Sequence, residues 1–267
     1  MNFFTKLNQR IDKTNSLLCV GLDSDIENLP LKFKNLEFPQ FEFNKFIIGE
    51  THPYVCAYKP NAAFYESRGE QGVHELKATC DFLSLNFPDI PVILDAKRGD
   101  IGNTNQAYAA YIFEYLKVDA VTLHPYLGKE SLENFLAYKD KGLIILCKTS
   151  NPGAGEFQDL VCNSKPLWQV VAQRVSQEWN TRGNCGLVVG ATYPEELKAV
   201  RHLVGKMTIL VPGVGTQGGD LEAVLRVGLN SQKRGILINA SRSIIFAPSP
   251  ATEAKVLRNI IKKYCNP

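Results

Sequence analysis

The chain has 267 residues, 45% of them hydrophobic, and a formal net charge of +3. A chain of this length can bury one large core, and α/β barrels commonly use about 250 residues as a single unit, so residues 1–267 are read as one domain. The mild charge, with no basic block, argues against a nucleic-acid partner, and the absence of a run of about 18 apolar residues argues against a membrane span.

In chain order, "MNFFTKLNQRIDKTN" lacks the apolar stretch of a signal peptide. Phe3, Phe4, Leu7 and Ile11 recur there at helical spacing and predict a short amphipathic helix. The seven cysteines are scattered, without a CxxC pair or a zinc-type His/Cys spacing. That pattern fits reduced thiols and a cytoplasmic location, with Cys19, Cys56, Cys147 and Cys185 as small buried hydrophobes in strands.

Eight short apolar runs follow: "SLLCVGLD" (16–23), "YVCAYKPN" (54–61), "PVILDAKRG" (91–99), "AVTLHP" (120–125), "GLIILCKTS" (142–150), "CGLVVGAT" (185–192), "TILVPGVG" (208–215) and "GILINASR" (235–242). Each is nearly continuous in apolar residues, as expected of parallel strands covered on both faces. Segments of helical periodicity separate them, among them "HELKATCDFLSLN" and "PLWQVVAQRVSQEW". The alternation predicts a closed (β/α)8 TIM barrel. An open doubly wound sheet is the runner-up, and the lack of GxGxxG after the first strand weakens its dinucleotide-binding form. The longest non-periodic stretches, Glu27 to Gln40 and Asn151 to Pro166, are candidates for a lid or for surface loops.

Polar residues gather where the strands end: Asp23, Lys59, Asn61, Asp95, Lys97, Ser150, Thr192 and Arg242. In a barrel those ends converge on the catalytic face. On the third strand, "LDAKRGDIGNT", side-chain alternation places Ile93, Asp95 and Lys97 on one side and Leu94 and Ala96 on the other. Arg98 is then out of phase with Lys97 and structural. Lys59 ends the preceding strand about 4.8 Å away. Lys59, Asp95, Lys97 and Asp100 can therefore form an alternating chain of ions that keeps each member charged. The bland alternative is an ion-pair network that merely plugs the barrel. His124, at the end of the fourth strand, is read as a satisfied structural histidine.

"PGVGTQGGD", Pro212 to Asp220, follows the seventh strand and precedes a helical segment. Its glycines let backbone N–H groups approach an anion, and the following helix N-terminus favours negative charge. With Arg242 at the end of the eighth strand, this end of the barrel reads as a phosphate site.

On these residues the sequence resembles the orotidine 5′-phosphate decarboxylase family over nearly the whole chain. The D-x-K-x-x-D signature falls on Asp95, Lys97 and Asp100, and "DAKRGDIGNT" looks like the longer bacterial branch. "GLD" at Asp23, "YKPN" at Lys59, "TSNPGA" at Ser150 and "PGVGTQGGD" at Gln217 match the flanking motifs; Ser241 stands where a glycine is more usual. The resemblance implies cofactor-independent, metal-free decarboxylation of orotidine 5′-phosphate to UMP, with Lys97 donating the proton to C6 and Asp95 against the departing carboxylate. Lys59 and Asp100 complete the charge network, and Lys59 and Asp23 meet the ribose hydroxyls. Ser150 and the backbone near Pro212 read the pyrimidine edge, while Gln217 and Arg242 grip the phosphate. It further implies a homodimer with shared active sites, in which Asp100, Ile101 and Thr104 serve the neighbouring subunit. Two rivals remain open to the sequence: a metal-dependent sugar-phosphate decarboxylase or aldolase of the same superfamily, whose activity EDTA would abolish, and a non-catalytic phosphate-binding barrel.

Overall fold

The computed structural model describes residues 1–214 and 219–265. All eight apolar runs form parallel strands: β1 (Leu18–Leu22), β2 (Ala57–Pro60), β3 (Ile93–Arg98), β4 (Ala120–Leu123), β5 (Gly142–Lys148), β6 (Cys185–Val189), β7 (Ile209–Pro212) and β8 (Ile236–Ala240). Their order in the sheet is β2-β1-β8-β7-β6-β5-β4-β3. Parallel bridges between Tyr58 and Val92 and between Asn61 and Asp95 join the two ends, so the sheet closes as a (β/α)8 barrel. Burial on both faces explains why the strand sequences are continuous rather than alternating: every residue of β1, β2, β4, β6 and β8 is buried.

The predicted N-terminal helix spans Phe3–Thr14. Asn2 caps it by accepting the Thr5 N–H at 2.9 Å, and Asn15 ends it in the left-handed region at φ 48°. Phe3, Leu7 and Ile11 are buried, and Phe3 lies where a side chain on Gly142 would stand, at the start of β5. The helix therefore closes the end of the barrel opposite the charged strand ends.

Cys19, Cys56, Cys147 and Cys185 are buried. Burial pushes the Cys19 thiol up to about 12, which makes it an unreactive small side chain despite the Lys59 cation nearby. The Asn151–Pro166 stretch holds two short helical turns, Pro152–Ala154 and Gly155–Gln158, and a small antiparallel ribbon of Val161–Cys162 with Lys165–Pro166. Among the described residues no helix is long and apolar enough to cross a membrane.

Candidate active site

The strand C-terminal ends surround a cavity of about 480 Å³. Asp23, Lys59, Asp95, Lys97, Ser150, Pro212 and Arg242, all candidates from the sequence, line it together. Gln217 lies outside the described residues. Asp100, Ile101 and Thr104 are not among the lining residues.

The charged centre is built on β2 and β3. Lys59 Nζ donates to Asp95 Oδ2 at 3.0 Å, and Lys97 Nζ donates to Asp95 Oδ1 at 2.7 Å. The Lys59 and Asp95 side chains are only 4% and 14% exposed, whereas Lys97 is 51% exposed at the mouth. Burial alone would push the Asp95 carboxyl up. The Lys59 and Lys97 cations, with hydrogen bonds from Lys97 and Thr122, outweigh it and hold the group well below the ordinary carboxylate range. Burial likewise opposes the charged Lys59 amine, but the Asp95 and Asp23 carboxylates reverse that and raise it above an ordinary lysine. Lys59 and Asp95 thus hold each other ionised, with Lys97 Nζ on the second carboxylate oxygen. In a low-dielectric site such fixed charges act on a ligand without reorganising.

Simple alternation does not by itself place Lys97. β3 carries an irregularity in its pairing with β4 between Leu94 and Arg98, and Lys97 adopts a left-handed backbone at φ 49°. For a residue with a side chain that conformation costs roughly 1–2 kcal/mol, so the surroundings must enforce it. Thr122 on β4, which spacing alone does not single out, donates its hydroxyl proton to Asp95 Oδ1 at 2.8 Å. Its only sequence signal is a hydroxyl in the otherwise apolar run "AVTL".

Among the described residues Asp100 does not extend the ion chain of Lys59, Asp95 and Lys97. Its Oδ1 accepts the Ile101 N–H at 2.8 Å, and its backbone is held by Asn105, which donates to the Asp100 carbonyl and accepts its N–H. Asp100 is separated from the cavity because β3 ends at Arg98 and the chain turns into the helix Gly102–Ala110. Arg98 is structural, as expected: it pairs with Glu66, donates to the Ala96 carbonyl at 3.1 Å and lies over the Tyr108 ring. The His124 N–H donates to the Arg98 carbonyl at 3.0 Å, and its ring packs on Gly99, where an added Cβ would lie 2.6 Å from Nε2.

The β5 side is clamped. Lys148, fully buried, donates to Asp159 Oδ1 at 2.5 Å and lies over the Tyr193 ring. Gln158 exchanges hydrogen bonds with Thr149, accepting its N–H at 2.9 Å and donating to its hydroxyl at 2.8 Å. These contacts pin the Asn151–Pro166 stretch to the strand end, with Asn151 and Gln158 in the cavity wall. Ser150 sits against Gly190, whose missing side chain makes the room: a Cβ there would be 2.8–2.9 Å from Ser150 atoms.

On the β1 and β8 side three buried polar atoms have no partner among the described residues: Asp23 Oδ1, Asn239 Oδ1 and Ser241 Oγ. All three residues line the cavity. Asn239 is a second residue missed from sequence, one polar side chain in the apolar run of β8. Ser241 fits because its neighbour on β1 is Gly21, where a Cβ would fall 1.8 Å from Ser241 Oγ. Arg242, the next residue, is exposed at the rim. The expected helix terminus after the Gly-rich loop is already engaged. Asp220 caps the helix Leu221–Gly228 by accepting the N–H groups of Glu222 and Ala223 at 2.9 and 3.2 Å. A Val214–Gly219 bridge joins the described residues on either side of 215–218.

Residues 16–257 match the orotidine 5′-phosphate decarboxylase / HUMPS family. The chain belongs to that family. The orotidine 5′-phosphate decarboxylase of Cellvibrio japonicus is 47% identical over 97% of this chain and 95% of its own length. The structure of Leishmania donovani OMP decarboxylase superposes with a TM-score of 0.90 at 41% identity, covering 99% of both chains. That of Leishmania donovani UMP synthase gives 0.91 at 43% identity over 99% of this chain, which spans 57% of that longer protein. Within the family the described residues here gather no group of three or more His, Cys, Asp or Glu side chains able to hold a metal ion.

Proposed function

We propose that this barrel decarboxylates orotidine 5′-phosphate to UMP and CO2, with Lys97 as the proton donor to C6. Loss of CO2 from C6 leaves a carbanion with no adjacent carbonyl to take the charge. Many decarboxylases meet that problem with an organic electron sink. Here a fixed cation beside the forming carbanion supplies the stabilisation and then the proton. The observation that carries the reading is the Lys59–Asp95–Lys97 unit: a lysine amine held 2.7 Å from a largely covered, ionised carboxylate at the open end of a barrel.

Repulsion between Asp95 and the substrate carboxylate contributes but is too small to dominate. Two unit charges about 4 Å apart interact by roughly 4 kcal/mol at an effective dielectric near 20, and the slowest reactions need barrier reductions of about 20 kcal/mol or more. Stabilisation of the transition state by Lys97 supplies most of the rest. Arg242, Gln217 and the Gly-rich loop hold the phosphate, Asp23 and Lys59 the ribose hydroxyls, and Ser150 and the Pro212 backbone the pyrimidine edge. The enzyme works in the cytoplasm as one domain and as a two-fold dimer. Support for the dimer is the placement of Asp100 outside its own cavity, with Ile101 61% exposed and Thr104 exposed beside it. These residues then complete the partner's site across an isologous interface.

Purified protein mixed with orotidine 5′-phosphate tests the activity: absorbance at the orotate band falls and UMP accumulates, with EDTA without effect. Persistence of the substrate, or loss of turnover with EDTA, would overturn the assignment. The dimer has its own test. Equal amounts of Lys97→Ala and Asp100→Ala, dissociated and reassociated, return roughly a quarter of wild-type activity if sites are shared, because half the dimers are mixed and half their sites are intact. A dead mixture containing confirmed heterodimers contradicts sharing.

A further inference from the structure

We infer that Thr122 is a positioning residue for the reaction, one hydroxyl that fixes both the carboxylate and the backbone of the catalytic strand. The inference rests on the proposed roles of Asp95 and Lys97. It begins with the pairing of β3 and β4. Leu94 pairs with Val121 and Arg98 with Leu123. Between those pairs β3 runs through Asp95, Ala96 and Lys97, while β4 runs through Thr122 alone. The regular ladder therefore has no carbonyl for the N–H groups of the bulged segment. Thr122 Oγ1 accepts both, from Ala96 at 3.1 Å and from Lys97 at 3.0 Å. It donates its single proton to Asp95 Oδ1 at 2.8 Å.

A threonine hydroxyl offers one donor and two acceptor lone pairs. All three are used, and all three are spent on Asp95, Ala96 and Lys97. The side chain is 1% exposed, so water does not compete. Two accepted N–H bonds force the hydroxyl proton toward the carboxylate, which sets the carboxylate plane. The same carboxylate oxygen receives Lys97 Nζ. Thr122 thus orients Asp95 directly and holds Lys97 in its left-handed backbone through the N–H. β-Branching suits the strand that presents the hydroxyl. Valine would keep the shape and lose all three bonds. β3 would then be free to return toward regular pairing, which turns the Lys97 side chain away from the cavity.

The test compares Thr122→Val, Thr122→Ser and Thr122→Ala, with kcat and KM for orotidine 5′-phosphate and thermal melting for each. The reacting amine is misplaced rather than removed, so kcat of Thr122→Val falls by about 10²-fold, while KM stays within about threefold because the groups assigned to phosphate and ribose binding are unchanged. Thr122→Ser keeps the hydroxyl and retains kcat within about fivefold of wild type. If valine prevents folding, serine and alanine differ by the hydroxyl alone and supply the same contrast. A merely structural hydroxyl predicts altered melting with kcat of every folded variant near wild type; that outcome overturns the inference, as does Thr122→Ser as impaired as Thr122→Ala. Lys97→Ala separately tests the proton-donor assignment, so failure of one claim is distinguishable from failure of the other.

Discussion

On the β2 to β4 side of the mouth, Asp95 Oδ1 receives hydrogen bonds from Lys97 and Thr122, and Oδ2 receives one from Lys59. On the β1 and β8 side, Asp23 Oδ1, Asn239 Oδ1 and Ser241 Oγ are also buried and have no partner among the described residues. Both sides are polar groups at the ends of parallel strands, so burial does not separate them. What separates them is whether the chain satisfies its own polar atoms. Groups that must be charged and aimed before a reaction begins are held by the fold. On the proposed reading, the second side keeps hydrogen-bonding capacity for a substrate, at a cost in stability, since a buried polar atom left unpaired costs about 1–3 kcal/mol.

That contrast can be broken most severely at Lys97. Lys97→Ala removes the amine proposed as both the cation at the carbanion and the proton donor; general acid and electrostatic contributions together predict a fall in kcat of at least about 10⁴-fold. Thermal melting should stay near wild type, because the side chain is half exposed. Asp95→Asn reaches deeper, since it leaves Lys59 buried beside a neutral amide. Breaking a buried pair predicts a loss of about 3–5 kcal/mol, measured by urea unfolding at pH 7. The pH dependence follows from the signs. Asp95, held below the ordinary range, contributes stability above about pH 4, lost as pH falls from there toward its folded value. Lys59, held above the ordinary range, contributes stability that is complete below about pH 10 and is lost as pH rises beyond it. The variant should therefore lose part of the acid limb of the wild-type stability profile.

The other side should behave in reverse. Arg242 is exposed at the rim, so Arg242→Ala should leave stability within about 0.5 kcal/mol, while raising KM by about 10²-fold through loss of the proposed charge-assisted bonds to phosphate. Ser241→Ala is the smallest change and the sharpest. Removing a buried hydroxyl that has no partner among the described residues should stabilise the ligand-free protein by about 1 kcal/mol and weaken UMP binding by less than about tenfold. Destabilisation by this variant would mean that Ser241 Oγ serves the fold, and the contrast between the two sides would dissolve.

Much of this was legible in the sequence, for identifiable reasons. A parallel strand covered on both faces reads as a continuous apolar run, so all eight strands stood out, as did the acids and bases that interrupt those runs at their ends. The charges of Lys59, Asp95 and Lys97 have no reason to follow buried strands unless they pair. What stayed hidden depends on contacts between distant segments. Alternation treats β3 as regular, and nothing in "DAKRGD" announces that Lys97 turns left-handed where β3 outruns β4. Thr122 and Asn239 are single polar residues in apolar strands, a pattern with many structural uses. The clamp between Lys148 and Asp159 joins a strand to a loop without periodicity, and its partner could not be chosen from spacing. Asp220 reads as easily as the start of an anion site as it does as the cap that occupies the helix terminus.

Titration of UMP into Lys97→Ala tests the division between a chemical side and a binding side most directly. The account predicts that this variant binds UMP within about fivefold of the wild-type Kd, a difference of about 1 kcal/mol, while showing no decarboxylation above a 10⁻⁴ fraction of the wild-type rate, the general acid and electrostatic terms both being lost. Loss of UMP binding together with activity, or turnover within tenfold of wild type, would contradict it.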